Sequence, residues 1–255
     1  MNSEKTLLAC VSGAAPLPAA VAKEFERVTE GGQLVEGFGL TECSPVTHAN
    51  PFNGVRKAGS IGLPIPDTDV RIMSLDDPDK EMPTGEPGEL CIQGPQVMLG
   101  YWKRPEETAL MIRNGWLHSG DVAVMDSEGY FKIVDRLKDM ILVSGFNVYP
   151  NEVEDVLYHH PAISKVAVIG VPDDRTGERV KAFVVLKEGA TLTSEELIAW
   201  CRDPKVGLTG YRIPHEVEFR DSLPETMVGK VLRRVLHDEE LKKREAAASA
   251  APSGS

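Results

Sequence analysis

Residues 6–38 read TLLACVSGAAPLPAAVAKEFERVTEGGQLVEGF, and this stretch decides the fold class. The apolar run at 6–12 stops at Gly13 and predicts a buried strand. Residues 18–28 carry apolar side chains at helical spacing, and residues 34–38 predict a second strand. A strand, a helix and a strand in succession predict an α/β fold.

Beyond this stretch the texture changes between residues 51 and 135. Glycine and proline separate short apolar runs, which read VRIMSL, GELCIQG, VAVMD and YFKIVD. The last two flank residues 127–129, Ser-Glu-Gly, which predict a hairpin loop. This part therefore predicts an all-β subdomain, a small barrel or sandwich.

Helices and strands alternate again after Arg136. Pro150 begins a predicted helix that Pro161 stops after His160, and KVAVIGV and KAFVVLK predict strands. Thr193 and Glu196 form the capping-box pattern before another helix. These alternations predict a second, small α/β domain.

The end of the chain predicts one more helix and a tail. Residues 230–243 are amphipathic, with inward positions at Val231, Leu232, Val235 and Leu236. Residues 246–255 are of low complexity and predict disorder. The expected domains are residues 1–136, with their barrel-like part, and 137–245, followed by the tail.

Composition excludes several function classes. The 255 residues carry 28 Lys and Arg against 39 Asp and Glu, a net charge of −11, which argues against a nucleic-acid partner. Cys10, Cys43, Cys91 and Cys201 are scattered and predict a reducing, cytoplasmic setting rather than a zinc site or disulfides. We expect no signal peptide and no membrane span, while peripheral membrane contact stays open.

The GFGLTE stretch at residues 37–42 is the first candidate site. Its glycines allow a close approach of the backbone to a ligand, and Thr41 and Glu42 could serve a phosphate and a hard cation. A plain strand-to-turn junction explains the same residues equally well. The pattern is not a Rossmann or Walker fingerprint, and Gly229-Lys230 is no P-loop.

Two histidine arrangements are weaker candidates. His118-Ser119-Gly120-Asp121 suggests a hydrolase triad, but four consecutive residues cannot easily form the relay, and no G-x-S-x-G elbow exists. His159-His160 ends a predicted helix, where positive charge is favourable, so a metal site there is the weaker interpretation.

Taken together, five motifs favour a functional interpretation of these residues over a purely structural one. Five segments, in this order along the chain, resemble motifs of the AMP-forming acyl-adenylate superfamily. They are SGAAPLP at 12–18, GFGLTE, GWLHSGD at 115–121, DRLKDMILVSGFNVYPNEVED at 135–155 and MVGK at 227–230. The resemblance covers residues 7–243, and it is greatest to the C-terminal part of bacterial long-chain fatty-acid–CoA ligases. It implies the end of a large adenylate-forming domain and a small mobile domain.

The resemblance implies a nucleotide site. Gly13, Ala14 and Ala15 would lie against adenine, as would Gly37, Phe38 and Gly39, with Phe38 where tyrosine is usual. Thr41 would contact phosphate, Glu42 would hold Mg²⁺, Asp121 would bind the ribose hydroxyls, and Arg136 would reach the ribose and phosphate.

The resemblance also implies a two-step reaction. Lys230 would assist attack of a fatty acid carboxylate on the α-phosphate of ATP, because it brings positive charge to two approaching anions. The small domain would then turn about Lys138 and present Ser144, Gly145 and Phe146 to CoA, whose thiol displaces AMP. ATP, Mg²⁺, CoA and a fatty acid are the expected ligands.

One departure leaves the activity open. The Ser/Thr/Gly-rich loop that wraps the outer phosphates in the family does not occur here, so we expect an N-terminal half elsewhere, and poor solubility of the chain alone. Three interpretations remain: a fatty-acid–CoA ligase inactive alone, a related ligase for another acid or a carrier-protein acceptor, and a non-catalytic interaction module. A location beside the inner membrane is implied by resemblance only.

Overall fold

The computed structural model describes residues 9–13, 17, 19–77, 79–226 and 229–250. The chain divides into two compact units, Met1–Leu137 and Lys138–Ser255. Both mix helices with sheets, which confirms the predicted α/β class. Within the described ranges, no helix has both the length and the apolar character that a membrane crossing needs.

The first sheet of the first unit contains the predicted strand–helix–strand. Strand β1 (Ala9–Ser12) is followed by helix α1 (Ala19–Val28) and by β2 (Gln33–Gly39), which pairs parallel to β1. Strands β3 (Val46–Ala49) and β4 (Leu63–Pro64) extend the sheet antiparallel, in the order β1-β2-β3-β4. The carboxyl ends of the two parallel strands therefore lie side by side.

The second sheet of this unit is the predicted all-β part. Strands β5 (Asp69–Met73), β6 (Gly88–Gln93), β7 (Ile112–Arg113) and β8 (Trp116–Met125) lie in the order β5-β6-β8-β7, and β9 (Phe131–Arg136) pairs with β8. Helix α2 (Pro105–Met111) precedes β7. The sheet is a half-barrel, and the β8–β9 turn is the one that Ser-Glu-Gly predicted.

The second unit is built on one mixed sheet. Its strands β10 (Ile141–Val143), β11 (Phe146–Val148), β12 (Ile163–Asp173) and β13 (Gly177–Leu186) lie in the order β11-β10-β13-β12, and β14 (Glu216–Phe219) pairs parallel to β13. The helices are α3 (Pro150–Leu157), α4 (Ser194–Cys201) and α5 (Arg233–Ala250).

Both faces of β12 are covered. Val166 and Val168 are buried in the core that α3 and α4 share, whereas Ala167 and Ile169 are buried with Leu236 of α5. A strand buried on both faces needs apolar residues at every position, which explains the unbroken run of this segment.

A buried lysine ties α5 to this sheet. The Nζ atom of Lys181 on β13 lies 2.6 Å from Glu240 Oε2 on α5 and 3.0 Å from Glu218 Oε2 on β14. Lys243 and Arg220 also contact the Glu218 carboxylate. The buried ammonium is therefore compensated by carboxylates from two elements.

Two predicted helices have different ends in the structure. Helix α3 ends at Leu157 rather than at His160, because Tyr158 closes it as the C-cap and the chain turns ahead of Pro161. Helix α5 begins at Arg233 rather than at Lys230, because Glu225 and Val231 pair across a hairpin and hold the preceding residues extended.

The predicted tail also differs. Helix α5 continues to Ala250, so residues 246–250 are helical and not disordered. Alanine has the highest helix propensity, and the run of alanines extends the helix. Residues 251–255 lie outside the described residues.

Candidate functional site

The predicted adenine segments lie where β1 and β2 end together. A Cβ atom at Gly13 would lie 3.5 Å from the carbonyl oxygen of Gly37, and one at Gly37 would lie 2.9 Å from Val11 Cγ1. Ala14 and Ala15 lie outside the described residues. The carboxyl ends of parallel strands are where α/β sheets bind ligands, so this edge is suited to a nucleotide.

One glycine of this segment has a reason within the fold. A Cβ atom at Gly39 would come within 1.8 Å of the Pro45 carbonyl oxygen. The chain folds back over itself here, since the Leu40 amide donates to the same Pro45 carbonyl oxygen. Gly39 is therefore required by backbone packing, whatever the ligand.

Phe38 packs against the core of the first unit. Its ring lies edge-on to His48 at 6.0 Å between centroids, and the His48 ring lies 4.9 Å from Phe131. Burial lowers the pKa of His48 to about 4, so this ring is neutral at physiological pH. Thr47 Oγ1 lies 2.9 Å from its Nδ1 atom. Phe38 is thus a half-buried aromatic at the end of β2.

Thr41 and Glu42 lie on the 3₁₀ turn Thr41–Cys43 that follows β2. Thr41 is exposed, and Glu42 is half-buried. The Tyr101 hydroxyl donates to Glu42 Oε1 at 2.7 Å, and the Met98 amide donates to the Glu42 carbonyl at 2.7 Å. The hydrogen bond to Glu42, with burial, raises the pKa of Tyr101 to about 12. Glu42 is therefore a fixed carboxylate.

Asp121 and Arg136 face each other across β8 and β9. They are register partners, and Arg136 Nε lies 3.5 Å from Asp121 Oδ1. The Asp121 side chain is 6% exposed and the Arg136 side chain 45% exposed. The structure therefore brings together the two residues that were expected to serve the ribose.

The neighbouring His118 and Ser119 make other contacts. His118 Nδ1 lies 2.8 Å from Glu89 Oε2, and the Ser119 hydroxyl oxygen accepts from the Asp121 amide at 3.1 Å. His118 is thus oriented by Glu89 and not by Asp121, so these residues do not have a triad arrangement.

Glu89, Cys91 and His118 form a buried cluster whose potential ligand atoms all lie within 4.8 Å of one another. The Nδ1 atom of His118 lies 3.4 Å from Cys91 Sγ as well as close to Glu89. Burial raises the pKa of Cys91 to about 12, which keeps the thiol protonated. The atoms that a metal would need are hydrogen-bonded to one another, so the cluster is a polar network.

Ser144 and Gly145 form the turn between β10 and β11. Both have positive φ angles, 52° and 83°, which suits a two-residue hairpin turn. The next residue, Phe146, is 55% exposed and stacks on Tyr211 with 4.7 Å between ring centroids. Lys138 lies in the 3₁₀ turn Leu137–Asp139, at the boundary of the two units.

Lys230 lies on a hairpin. The Thr226 amide donates to the Lys230 carbonyl at 2.8 Å, and Glu225 pairs with Val231. Lys165 on β12 holds the Glu225 carboxylate at 2.7 Å. The motif residues Met227 and Val228 lie outside the described residues.

An ion pair fixes the chain immediately after the hairpin. Arg233 donates to both carboxylate oxygens of Glu154 on α3, at 3.2 and 2.7 Å. The same Glu154 accepts from the Val168 amide at 2.7 Å. Lys230 therefore lies between two residues that ion pairs hold in place, Glu225 before it and Arg233 after it.

Sequence reasoning missed Tyr101, Glu89 and Glu154. Tyr101 is 59 residues from the carboxylate that it contacts, so no local pattern links the two. Glu89 gave a usable signal, because a carboxylate inside the apolar run GELCIQ needs a buried partner. Glu154 lies among exposed-looking acidic residues, and only the fold gives it Arg233.

Comparison with known families gives two matches. The profile of the AMP-binding enzyme family matches residues 2–102. The profile of the AMP-binding enzyme C-terminal domain matches residues 152–230. The two matches fall one in each of the two compact units.

The curated relatives include CoA ligases and a CoA synthase. The chain is 56% identical over 227 residues to a long-chain-fatty-acid–CoA ligase of Escherichia coli O6:H1, covering 89% of this chain and 39% of that protein. It is 47% identical to a feruloyl-CoA synthase of Amycolatopsis sp, covering 91% of this chain and 46% of that protein. The chain thus spans less than half the length of these relatives.

A solved structure supports the same comparison. ATP-bound MatB from Rhodopseudomonas palustris matches with a TM-score of 0.81 and 35% identity, covering 90% of this chain and 44% of that one. The similarity extends over both compact units.

Proposed function

The chain belongs to the AMP-binding enzyme family, and from that premise we propose that it is part of an AMP-forming ligase that activates a long-chain fatty acid with ATP and transfers it to CoA. The observation that carries this proposal is the 56% identity to a long-chain-fatty-acid–CoA ligase over 89% of the chain. The chain spans 39% of that relative, so the activity of the whole enzyme is a proposal for this chain.

In this proposal ATP lies at the edge where β1 and β2 end. Adenine packs against the backbone at Gly13, Ala14 and Ala15 and against residues 37–39, with the Phe38 ring as a flat neighbour. Asp121 accepts hydrogen bonds from the ribose hydroxyls, and Arg136 neutralises the phosphate side. The 3.5 Å pairing of Asp121 with Arg136 supports this assignment, because one site then offers an acceptor for hydroxyls and a cation for phosphate.

The chemical step joins two anions. A carboxylate oxygen of the fatty acid attacks the α-phosphorus, the bond to the bridging oxygen breaks, and pyrophosphate leaves with the electron pair. Lys230 brings positive charge to the carboxylate and the α-phosphate, and Thr41 donates a hydrogen bond to phosphate.

Glu42 fits a magnesium site. It is a half-buried carboxylate, and Tyr101 engages its Oε1 atom, which leaves Oε2 for a hard cation. When bound, Mg²⁺ neutralises phosphate charge. Tyr101 would hold the Glu42 carboxylate in one orientation before and after the ion binds.

The second step forms the thioester. The CoA thiol gives up its proton to solvent, its sulfur attacks the acyl carbonyl carbon, the bond from that carbon to the phosphate oxygen breaks, and AMP leaves with the electron pair. We assign Ser144, Gly145 and Phe146 to the CoA side, because their hairpin turn has no side chain at Gly145 and presents an exposed ring at Phe146. Lys138 is assigned as the hinge residue, since the two compact units divide beside it.

A related acid is the second candidate substrate. The feruloyl-CoA synthase at 47% identity favours it, since that relative's name gives an aromatic acid. A panel of oleate, octanoate and ferulate separates the two candidates. Cytoplasmic location and peripheral membrane contact belong to the same proposal, and sedimentation with anionic vesicles tests the contact.

The test is formation of oleoyl-CoA from oleate, ATP, Mg²⁺ and CoA, followed by mass spectrometry. The chain is assayed alone and together with a polypeptide that carries the N-terminal three fifths of a related ligase. We expect product in the second case and a loss of about a hundredfold or more in Lys230→Ala. Lys242→Ala, an exposed lysine of α5, is the matched control. Equal rates for wild type and Lys230→Ala would favour a non-catalytic module instead.

A further inference from the structure

Strand β8 contains two extra residues beside the predicted ribose site. Glu89 on β6 pairs with Val122, but Cys91, two residues later, pairs with His118, so Leu90 alone faces residues 119–121. Gly120 at the centre has a φ of 70°, and apart from its chain neighbours no residue has an atom within 4 Å of where its Cβ would be. This is a β-bulge, a feature that re-aims the side chains of a strand next to active sites.

One buried carboxylate contacts both the residue before this bulge and the residue at its centre. Glu89 Oε2 lies 2.8 Å from His118 Nδ1, and Glu89 Oε1 accepts from the Gly120 amide at 3.2 Å. Arg113 provides a countercharge at 3.7 Å. The Glu89 side chain is 12% exposed, so its hydrogen bonds form largely away from water.

The next residue is Asp121, whose carboxylate lies inside the unit and faces Arg136. The bulge ends where β8 resumes its pairing with β6 at Val122, and its last residue, Asp121, is the first residue of β8 that pairs with β9, opposite Arg136. If the backbone at Gly120 becomes more mobile, Asp121 is therefore displaced before the rest of β8 is affected.

We propose that Glu89 is a positioning residue that holds the bulge at residues 119–121 and so orients Asp121 for the ribose of the nucleotide. The proposal rests on the proposed function for the role of Asp121, but the bulge itself can be measured without a nucleotide. The bonds at His118 and Gly120 are independent of any ligand.

The first measurement is amide hydrogen exchange at Gly120. Glu89→Ala removes the acceptor, and we expect exchange there to rise about tenfold or more, because a bond to a charged acceptor is lost. Glu89→Gln keeps an oxygen for Gly120 and an NH₂ for His118, so a small rise is expected. Ile92→Val is the matched control, since it shortens a buried side chain of the same strand that pairs with Leu117, outside the bulge.

The second measurement is the Kd of AMP for the chain, assembled with the companion polypeptide described above. We expect Glu89→Ala to weaken binding about tenfold and Ile92→Val to leave it within twofold. Glu89→Ala should add nothing in an Asp121→Ala background, because a residue that acts through Asp121 has no effect once Asp121 is gone. If Glu89 had only a structural role, Glu89→Ala would weaken AMP binding equally in the wild-type and Asp121→Ala backgrounds.

The outcomes separate the two proposals. Wild-type exchange at Gly120 in Glu89→Ala, or additive effects of the two substitutions on Kd, overturns the inference. Absence of AMP binding by wild type contradicts the proposed function, while exchange at Gly120 still decides whether Glu89 holds the bulge. If Glu89→Ala does not fold, His118→Phe breaks one of the two bonds and is expected to change both quantities in the same direction.

Discussion

The hydrogen bond from the Tyr101 hydroxyl to the Glu42 carboxylate can be tested by titrating the Tyr101 phenol. A phenol beside a carboxylate resists ionisation, and the pKa of Tyr101 is raised to about 12 by this hydrogen bond first and by burial second. We predict that Glu42→Gln lowers this pKa towards the ordinary value of about 10, because the neighbouring negative charge is removed. Tyrosinate absorbance against pH gives the measurement.

Two further variants complete this titration. Tyr101→Phe identifies which part of the curve belongs to Tyr101. Glu86→Gln removes an exposed carboxylate of the same unit and should leave the curve unchanged. If the Glu42→Gln curve superimposes on that of wild type, the contact in solution is not the one described.

The cysteines give a second test at the residue scale. Burial raises the pKa of Cys43 and Cys201 to about 11 and that of Cys91 to about 12, whereas Cys10 is partly exposed on β1. We predict one fast-reacting thiol in the native chain at mildly alkaline pH and four after denaturation. Substitution of Cys10 by serine should remove the fast phase, and a second fast thiol would contradict the burial.

The hairpin that carries Lys230 depends on ion pairs at its ends. Glu154→Gln weakens the pairing with Arg233, which we expect to destabilise the second unit by about 2 kcal/mol, as for other hydrogen bonds between charged groups. Tryptic cleavage after Lys230 should become several-fold faster, since the hairpin opens more often. Glu195→Gln, on the exposed first turn of α4, is the control. Unchanged cleavage would show that the ion pair does not restrain the hairpin.

The attachment of helix α5 to its sheet should weaken in acid. Burial alone would raise the pKa of Glu218, but contacts with Lys243, Lys181 and Arg220 outweigh it and lower the pKa to about 2. A lowered pKa contributes stability above the unfolded value of about 4.3, and this is lost as pH falls towards 2. Discounted for solvent screening, the effect is about 1 kcal/mol.

A lysine substitution tests this helix attachment. Lys181→Met leaves Glu218 and Glu240 without their shared cation, so the second unit should be less stable at neutral pH and its stability less dependent on pH between 4.3 and 2. Urea unfolding at several pH values, with Lys205→Met as an exposed control, gives the comparison. An unaltered pH dependence would exclude the network as the cause.

At the scale of the whole molecule, we expect association between chains to depend on the β1 edge of the first sheet. Strand β1 is the last strand on its side among the described residues, and Val11 is 55% exposed. An unprotected edge with an exposed valine invites pairing between chains. We predict concentration-dependent association in light scattering, reduced in Val11→Lys, with Val55→Lys as an off-edge control. A monodisperse monomer at all concentrations would contradict this.

Much of the fold was predictable because it depends on local patterns. The apolar run of β12 and the capping box of Thr193 and Glu196 needed no distant partner, and both are confirmed. The start of α5 was wrong, because residues 230–232 have a helical pattern but pair with residues 224–226, and tertiary pairing outweighs propensity.

The candidate site was predictable only in part. The motifs identified Glu42, Asp121 and Arg136 as separate points along the chain. Sheet registration is what brings Asp121 opposite Arg136, and no spacing in the sequence encodes it. Tyr101 contacts Glu42, and Glu89 contacts Gly120 beside Asp121; both partners are distant in sequence, so only the three-dimensional structure shows these contacts.

Strand β1 offers a practical benefit for experiments on this enzyme family. Its Cys10 is the partly exposed thiol among the four cysteines, and it lies on the outermost described strand of the sheet, beside the proposed nucleotide site. A fluorescent dye can therefore be attached there without first removing the other cysteines. Its emission would report the arrival of a companion polypeptide at that edge in real time, and so measure assembly of the proposed ligase before any product forms.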